Sequence, residues 1–386
     1  MVHNAGHFGT FEPHTQLKHE ILRTYVERWA RVLLMHAKES RSRIRIVDAC
    51  AGAGQDESGK PGSPLISIRE AEQAQNQLAR LRGFPVEIQV TAIEKDRGRY
   101  EQLAAMVGVF GGRHRAWQGT LADHSAALEA DPVPTLFFID PFGLEPLQAD
   151  VVRQALAGPK NEVLLLFADQ AALRHIGAAA TLDEPHEVQP SLFASEGTAA
   201  THQPGPSREQ KLTGEAAIRI MTAAFGHEGW RAVLDLPASL RRQALVDMYA
   251  ELLGQFGAER VLALPIIGQR SHLKYHLIFG THSGKGYEVM KDAVERAWGA
   301  ELVDKRAVEL MQLGTATPVS AIVEMVLARF AGSPATSWRG DRPGESIRSY
   351  LLQDTAAMPH QFKEVKDRLA QYRVPGKALV YRFPPY

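Results

Sequence analysis

With 386 residues the chain has room for two or three domains of about 150 residues each, and its 44 Lys and Arg balance 44 Asp and Glu, so global charge steers it toward neither nucleic acid nor membrane. A single cysteine, Cys50, excludes an intramolecular disulfide and a cysteine-based zinc cluster. No apolar run reaches the ~18 residues of a membrane span, and the first residues lack the charged-then-apolar pattern of a signal peptide, so a cytoplasmic protein with no membrane partner is expected.

Residues 15 to 38 read as a helix, because Leu17, Ile21, Tyr25, Trp29 and Leu33 recur at four-residue steps. The apolar run 44 to 47 ends at Asp48 and enters a turn with Gly52 and Gly54. Residues 64 to 81 form a second helix, opened by Pro64, which suits a first helical turn because its missing N–H has no partner there. A strand over 86 to 93 ends in Glu94, a helix covers 97 to 107, and a short third strand precedes Gln118-Gly119. A brief helix at 121 to 130, a strand at 135 to 139 ending in Asp140, a helix at 147 to 157 and a strand at 162 to 167 follow. Strands alternating with helices predict a parallel sheet wound on both faces, an α/β Rossmann-like fold.

The middle reads differently. Residues 170 to 242 hold small residues, prolines and polar stretches, and predict loops with short helices inserted into the domain. An amphipathic helix at 243 to 256 resumes the pattern. Two apolar runs, 261 to 267 and 275 to 279, read as an antiparallel pair closing the sheet, and a helix at 285 to 298 ends the domain near residue 305. The remainder, 315 to 386, reads as a separate module of helices at 319 to 331, 344 to 352 and 359 to 371 and a final alternating strand from 378. That order is winged-helix-like. Residues 329 to 386 contain ten Lys and Arg against five Asp and Glu, a local basic excess compatible with a solvated cap or a nucleic-acid-binding module.

The candidate site lies at the strand ends. The turn Asp48-Ala49-Cys50-Ala51-Gly52-Ala53-Gly54 lets backbone approach a ligand closely. A carboxylate at Asp48 repels a pyrophosphate but pairs with an ammonium group, such as that of the amino-acid part of S-adenosylmethionine. Glu94 is placed to accept hydrogen bonds from ribose hydroxyls, as acids do in dinucleotide folds. Gly119 and Thr120, at the end of the third strand, are placed to hold the adenine. Asp140-Pro141-Phe142-Gly143 closes the fourth strand. An exocyclic amine conjugated to a ring is a poor nucleophile. Acceptors at Asp140 and the Pro141 carbonyl can bind its two hydrogens and aim its lone pair, while Phe142 can stack on the ring, an interaction of about 1–3 kcal/mol for a base. Lys18 and His19 on the first helix are candidates for the same pocket. The fifteen histidines are scattered, and no residue set has metal-ligand spacing.

Asp140-Pro141-Phe142-Gly143 resembles the catalytic tetrapeptide of the tRNA guanine exocyclic-amine methyltransferases. Over residues 15 to 300 the chain resembles the three-Cys-motif partner family, which is methyltransferase-like. That resemblance is carried by Lys18 to Leu22 with Tyr25 and Trp29, Asp48 to Gly54, Gly62 to Leu65, Ile93 to Asp96, Phe138 to Gly143, and Tyr275 to His282 with Gly284 to Gly286 and Met290-Lys291. It departs at Cys50 and in the insertion near 180 to 205. It implies S-adenosylmethionine as cofactor and a cysteine-motif protein as partner. The expected reaction is methyl transfer to a ring amine, on a nucleic-acid base first, with a small-molecule acceptor or a non-catalytic binding role as alternatives.

Overall fold

The computed structural model describes residues 13–183, 214–267, 273–301, 318–339, 346–355, 357–377 and 379–384. In chain order the larger unit contains α1 (Pro13–Leu34), β1 (Arg43–Asp48), α2 (Ser63–Arg82), β2 (Glu87–Glu94), α3 (Arg97–Gly108), β3 (Arg115–Gln118), α4 (Leu121–Glu129), β4 (Thr135–Ile139), α5 (Ala149–Leu156), β5 (Glu162–Phe167), α6 (Asp169–Asp183), α7 (Gly214–Phe225), α8 (Ala238–Gln255), β6 (Arg260–Ile267), β7 (Leu273–Thr281) and α9 (Gly284–Glu301). Among the described residues no helix is long and apolar enough to cross a membrane.

The strands form one seven-stranded sheet in the order β3-β2-β1-β4-β5-β7-β6. β1 pairs in parallel with both β2 and β4, and β4 with β5, whereas β7 runs antiparallel to β5 and to β6. The parallel strands therefore follow the doubly wound Rossmann order with β7 inserted beside the last of them, and the winding reverses between β1 and β4. Two apolar clusters fill the two faces. α1, α2, α3 and α9 cover one through Tyr25, Leu78, Leu103 and Met290, and α4 to α8 cover the other through Leu121, Val152, Ile176, Met221 and Tyr249. Sequence pattern and sheet agree here because a strand covered on both faces is almost continuously apolar: β4 and β5 are buried at every position.

Three expectations are corrected. α1 ends at Leu34 rather than residue 38. The stretch 170 to 242 is more regular than the expected loops, with α6 of 15 residues, α7 of 12 and α8 already under way at Ala238. Alanine at 171, 172, 178, 179 and 180 lowers the apolar contrast of α6 without lowering its helix propensity, and packing of Ala172, Ile176 and Ala179 into the core settles it. The helix expected over 359 to 371 is a shorter one with 3₁₀ turns on either side. Most of the insertion near 180 to 205, and residues 268 to 272 between the closing strands, lie outside the described residues.

A buried polar clamp fixes α1 against the sheet. The Tyr25 hydroxyl donates to Glu162 Oε2 at 2.5 Å and Thr281 Oγ1 donates to Glu162 Oε1 at 2.7 Å. Burial pushes the Glu162 carboxyl up to about 7, against the lowering effect of those hydrogen bonds. This clamp lies at the amino end of β5, so the amino-terminal turns of α1 reach the opposite, carboxyl edge of the sheet.

The C-terminal unit has α10 (Val319–Phe330), β8 (Thr336–Ser337), α11 (Ile347–Asp354), α12 (Phe362–Arg368) and β9 (Val380–Tyr381). β8 pairs antiparallel with β9, and Arg373 bridges Tyr381 on the other side. A third apolar cluster, with Val326, Phe330, Trp338, Leu351, Val365 and Tyr381, is its own core. Its junction with the larger unit is mixed: Met358 packs into the apolar cluster under α1 and α9, and polar contacts surround it. Lys291 on α9 is fully buried and donates to the Leu351 and Thr355 carbonyls at the end of α11, Gln353 donates to Glu288 at 2.9 Å, and Arg260 pairs with Asp354 at 2.7 Å.

Candidate functional site

Side chains alternate across a strand, so the acids that end β1 and β2 and follow β4 share a face. Ile46, Ala92 and Phe138 belong to the cluster under α1 and α2, and Asp48, Glu94 and Asp140 stand two residues beyond them. All three carboxylates thus meet at the carboxyl edge, on either side of the point where the winding reverses, which is where open α/β sheets form a ligand crevice.

The loop after β1 is pinned between its neighbours. Ala49 N donates to Phe138 O at 2.9 Å, Ala51 N to Ile93 O at 3.0 Å, and Gly52 N to Glu94 Oε2 at 2.9 Å. Glu94 Oε1 accepts from Asp96 N at 2.8 Å. Each Glu94 oxygen so keeps a second lone pair for a ligand hydroxyl. Gly52 and Gly54 have φ of 62° and 89°, a conformation other residues adopt only under strain, and a side chain built at Gly52 would point into open space. Gly54 O accepts from Gly62 N at 2.8 Å, which brings the start of α2 under the loop. Its N-cap, Gly62, makes no side-chain cap, and Pro64 follows, so the first-turn N–H groups of α2 are not capped by a side chain.

Asp48 is fully buried. Its Oδ1 lies 3.4 Å from Cys50 N, it is hydrogen-bonded to Ser63, and its Oδ2 has no partner among the described residues. Burial pushes its carboxyl up to about 7, with Ser63 opposing and Asp140 adding to the rise. Cys50 sits between the acids. Burial, then Asp48, Asp140 and Glu94, push its thiol up to about 12. From α1 the Lys18 ammonium donates to Asp140 Oδ2. Beside it His19 is 8% exposed and is pulled down to about 4 by burial and by the nearby Lys18 and Arg23, so it is neutral at pH 7.

The remaining predicted residues fall at the same edge with different environments. Pro141 is buried, whereas Phe142 is 94% exposed and projects into solvent from the loop after β4. Gly119 N donates to Glu94 O at 3.0 Å, tying the end of β3 to β2. Thr120 is the N-cap of α4: its Oγ1 donates to Asp123 Oδ2 at 2.7 Å, and Asp123 N donates back to it. The ring of His124 lies 4.9 Å from Trp117 and reaches Gln118 O at 2.8 Å.

The sequence did not disclose a second buried pair at the carboxyl edge. His276 on β7 contacts Asp169 at the start of α6, Nδ1 to Oδ2 at 3.0 Å, and Asp169 Oδ1 has no partner among the described residues. The pair forms because antiparallel pairing sets His276 opposite Phe167, two residues before Asp169. It lies on the α6 face, opposite the face of Asp48, Glu94 and Asp140. His272 lies outside the described residues. An apolar groove of about 420 Å³ between α4 and α5 opens at the amino end of β4, around Val133, Phe137 and Asn161, and contains none of the predicted residues.

No protein-family model matches the chain, so the resemblance to the three-Cys-motif partner family rests on its motifs alone, and no curated protein matches it. Among solved structures the chain is similar to a loganic acid methyltransferase with SAH, at 7% identity over 75% of this chain and 82% of that one, with a TM-score of 0.29. The chemistry read from this chain therefore rests on its own sheet order and side chains.

Proposed function

We propose that the protein is an S-adenosylmethionine-dependent methyltransferase acting on a ring exocyclic amine, with a nucleic-acid base as the acceptor. The observation that carries this reading is the convergence of Asp48, Glu94 and Asp140 on one face of the sheet's carboxyl edge, with the Lys18 ammonium on Asp140 and the half-exposed Arg99 guanidinium 4.0 Å from Glu94. That edge holds more acids than bases. It suits a ligand with ammonium and sulfonium charges and disfavours a pyrophosphate. The buried, unpartnered Oδ2 of Asp48 fits the same ligand: an ammonium reaching it would satisfy a polar atom that is otherwise costly to bury.

In this reading Asp48 and the uncapped first turn of α2 hold the amino-acid end, Gly52 and Gly54 allow close backbone approach, and Glu94 binds the ribose hydroxyls. Ala49 and Cys50 line the loop, and Gly119 and Thr120 border the adenine. Lys18 fixes Asp140, and neutral His19 packs beside it. S-adenosylmethionine, when bound, supplies an electrophilic methyl group. Asp140 and the Pro141 carbonyl accept hydrogen bonds from the acceptor's amine and hold its lone pair toward that methyl. Phe142, already in solvent, offers a stacking face. A duplex base would have to leave the stack to reach this edge.

The chain divides in this proposal into a catalytic domain, 1–305, with an inserted segment near 170–242, and a winged-helix-like domain, 315–386. The separate apolar core of the C-terminal unit supports the division. The resemblance to the three-Cys-motif partner family, with a cysteine-motif protein as partner, belongs to the same proposal. The neutral net charge favours a small-molecule acceptor as the second reading.

Incubation with methyl-labelled donor and separate pools of DNA, RNA and small metabolites tests the proposal. Label in a nucleic-acid base is the expected result. Label confined to the metabolite pool would replace the acceptor, and no transfer to any pool would remove the enzyme reading.

A further inference from the structure

We infer that the C-terminal unit docks the phosphate backbone of a nucleic-acid duplex through the face made by α12 and the hairpin that follows it. This deepens the methyltransferase reading by naming where a nucleic-acid substrate is held, but the docking itself does not depend on methyl transfer.

The face is basic and available. Between residues 362 and 384 there are six Lys and Arg and two Asp and Glu. Lys363, Arg368, Arg373, Lys377 and Arg382 are exposed, and Lys366 lies partly exposed over the Trp338 ring at 5.5 Å. Of the acids, Glu364 is paired with Arg368 at 2.7 Å and Asp367 is exposed. Lys363, Arg373, Lys377 and Arg382 have no acidic partner among the described residues. The other side of the unit is already occupied, since Arg348 and Asp354 of α11 pair with Glu288, Asp292 and Arg260 of the larger unit.

The backbone presents these cations in two arms. Lys363 and Lys366 are one turn apart on α12. The chain then forms a hairpin closed by Val374 N to Val380 O at 2.8 Å and Arg382 N to Tyr372 O at 2.9 Å. Tyr381 and Phe383 point into the core, so alternation turns Arg382 outward. Lys377 sits at the tip beside Pro375 and Gly376, where Gly376 has φ of 73° and Leu379, unusually for a leucine, 52°. Two lysines on α12 and the exposed Arg373, Lys377 and Arg382 of the hairpin are the cations that would meet phosphates.

The same face argues against other polyanions. In the described part of the C-terminal unit the one exposed large hydrophobic residue is Met325, on α10. Among the described residues the basic face therefore lacks the exposed aromatic platform that single strands stack on and the apolar residues that enter a lipid interface.

The test uses the full chain without methyl donor. Binding to a DNA duplex, an RNA duplex of the same sequence, the single strands and poly-glutamate is followed by fluorescence anisotropy over a salt series, for the parent and for K363A/R373A/K377A/R382A. Duplex binding that weakens linearly in log–log salt is expected, with the variant losing roughly tenfold or more in affinity and about 0.9 of slope for each phosphate contact removed. Preference between the DNA and RNA duplexes then names the docked polymer. A variant that binds duplex as the parent does, or a parent that binds single strands or poly-glutamate as tightly as duplex, overturns the inference. Calorimetry with S-adenosylmethionine on both proteins keeps the two readings apart. Circular dichroism and thermal melts that match between the two proteins show that the variant's C-terminal unit is folded, and docking without donor binding in the parent overturns the methyl-transfer reading alone.

Discussion

The Lys18 ammonium on the first helix donates to the Asp140 carboxylate after β4, joining residues 122 positions apart at the mouth of the crevice. The pair is partly exposed, with side-chain accessibilities of 15% and 21%, so it adds at most about 1 kcal/mol to stability. Its value is positional: it fixes the carboxylate proposed to orient the acceptor amine. Lys18→Met should therefore leave the thermal midpoint nearly unchanged and lower kcat at least tenfold. Asp140→Ala should lower kcat by about 10²-fold or more, as loss of an orienting hydrogen-bond partner does, with donor affinity spared. Steady-state kinetics with labelled donor check both, and an Asp140→Ala protein of full activity would remove the assignment.

If Asp48 faces the donor as proposed, donor binding has a pH dependence. Burial raises its carboxyl from 3.8 to about 7, so its contribution to the stability of the ligand-free protein is complete below about 3.8 and is lost as pH rises through about 7. A cationic ligand favours the ionised form. Donor affinity should consequently increase with pH from roughly 6 to 8, and Asp48→Asn should flatten the increase. Calorimetric titrations across that range measure it. An equal slope in the parent and the variant would show that Asp48 does not face the donor's charge.

Cys50 reports on the loop. Its thiol is pushed up to about 12, so almost no thiolate exists at neutral pH, and thiolate is the reactive form. Because it is the chain's one cysteine, iodoacetamide labelling followed by intact mass should be slow in the native protein and fast after denaturation. Rapid native labelling would mean that the loop is open and that its three neighbouring acids are not packed as described.

The clamp under α1 is testable by stability alone. Glu162 is raised from 4.5 to about 7, so its share of stability is complete below about 4.5 and disappears as pH rises through about 7. Glu162→Gln should remove that part of the pH dependence in denaturant titrations. A side chain built at Gly286 would run into Glu162 Oε1 and lie 2.8 Å from Thr281 Oγ1. Gly286→Ala should cost about 1–3 kcal/mol, the range for overpacking a tight interior.

Much of the sheet and its acidic edge were legible because one physical rule governs both. A strand buried on two faces is continuously apolar, and a carboxylate directly after it marks the strand's end. Asp48, Glu94 and Asp140 were found this way, and their common face follows from strand alternation. The α6 helix was not legible, since its alanines give little amphipathic contrast and its identity depends on packing against α7. The pairing of His276 with Asp169 was hidden for another reason: it depends on the antiparallel register of β5 and β7 across 107 residues of chain. Thr120 was placed correctly at the edge, but the sequence did not distinguish a ligand contact from the capping box it makes with Asp123. The exposure of Phe142 likewise depends on how the loop after β4 leaves the sheet.

The measurement closest to the central claim is isothermal titration calorimetry of the full chain with S-adenosylmethionine at pH 8, beside Glu94→Ala. The account predicts saturable binding at one site per chain and an affinity at least tenfold weaker in the variant, which loses the carboxylate proposed to bind the ribose and the acceptor for Gly52 N. Absence of heat together with absence of any thermal shift in the parent, or equal affinity in the two proteins, would contradict it.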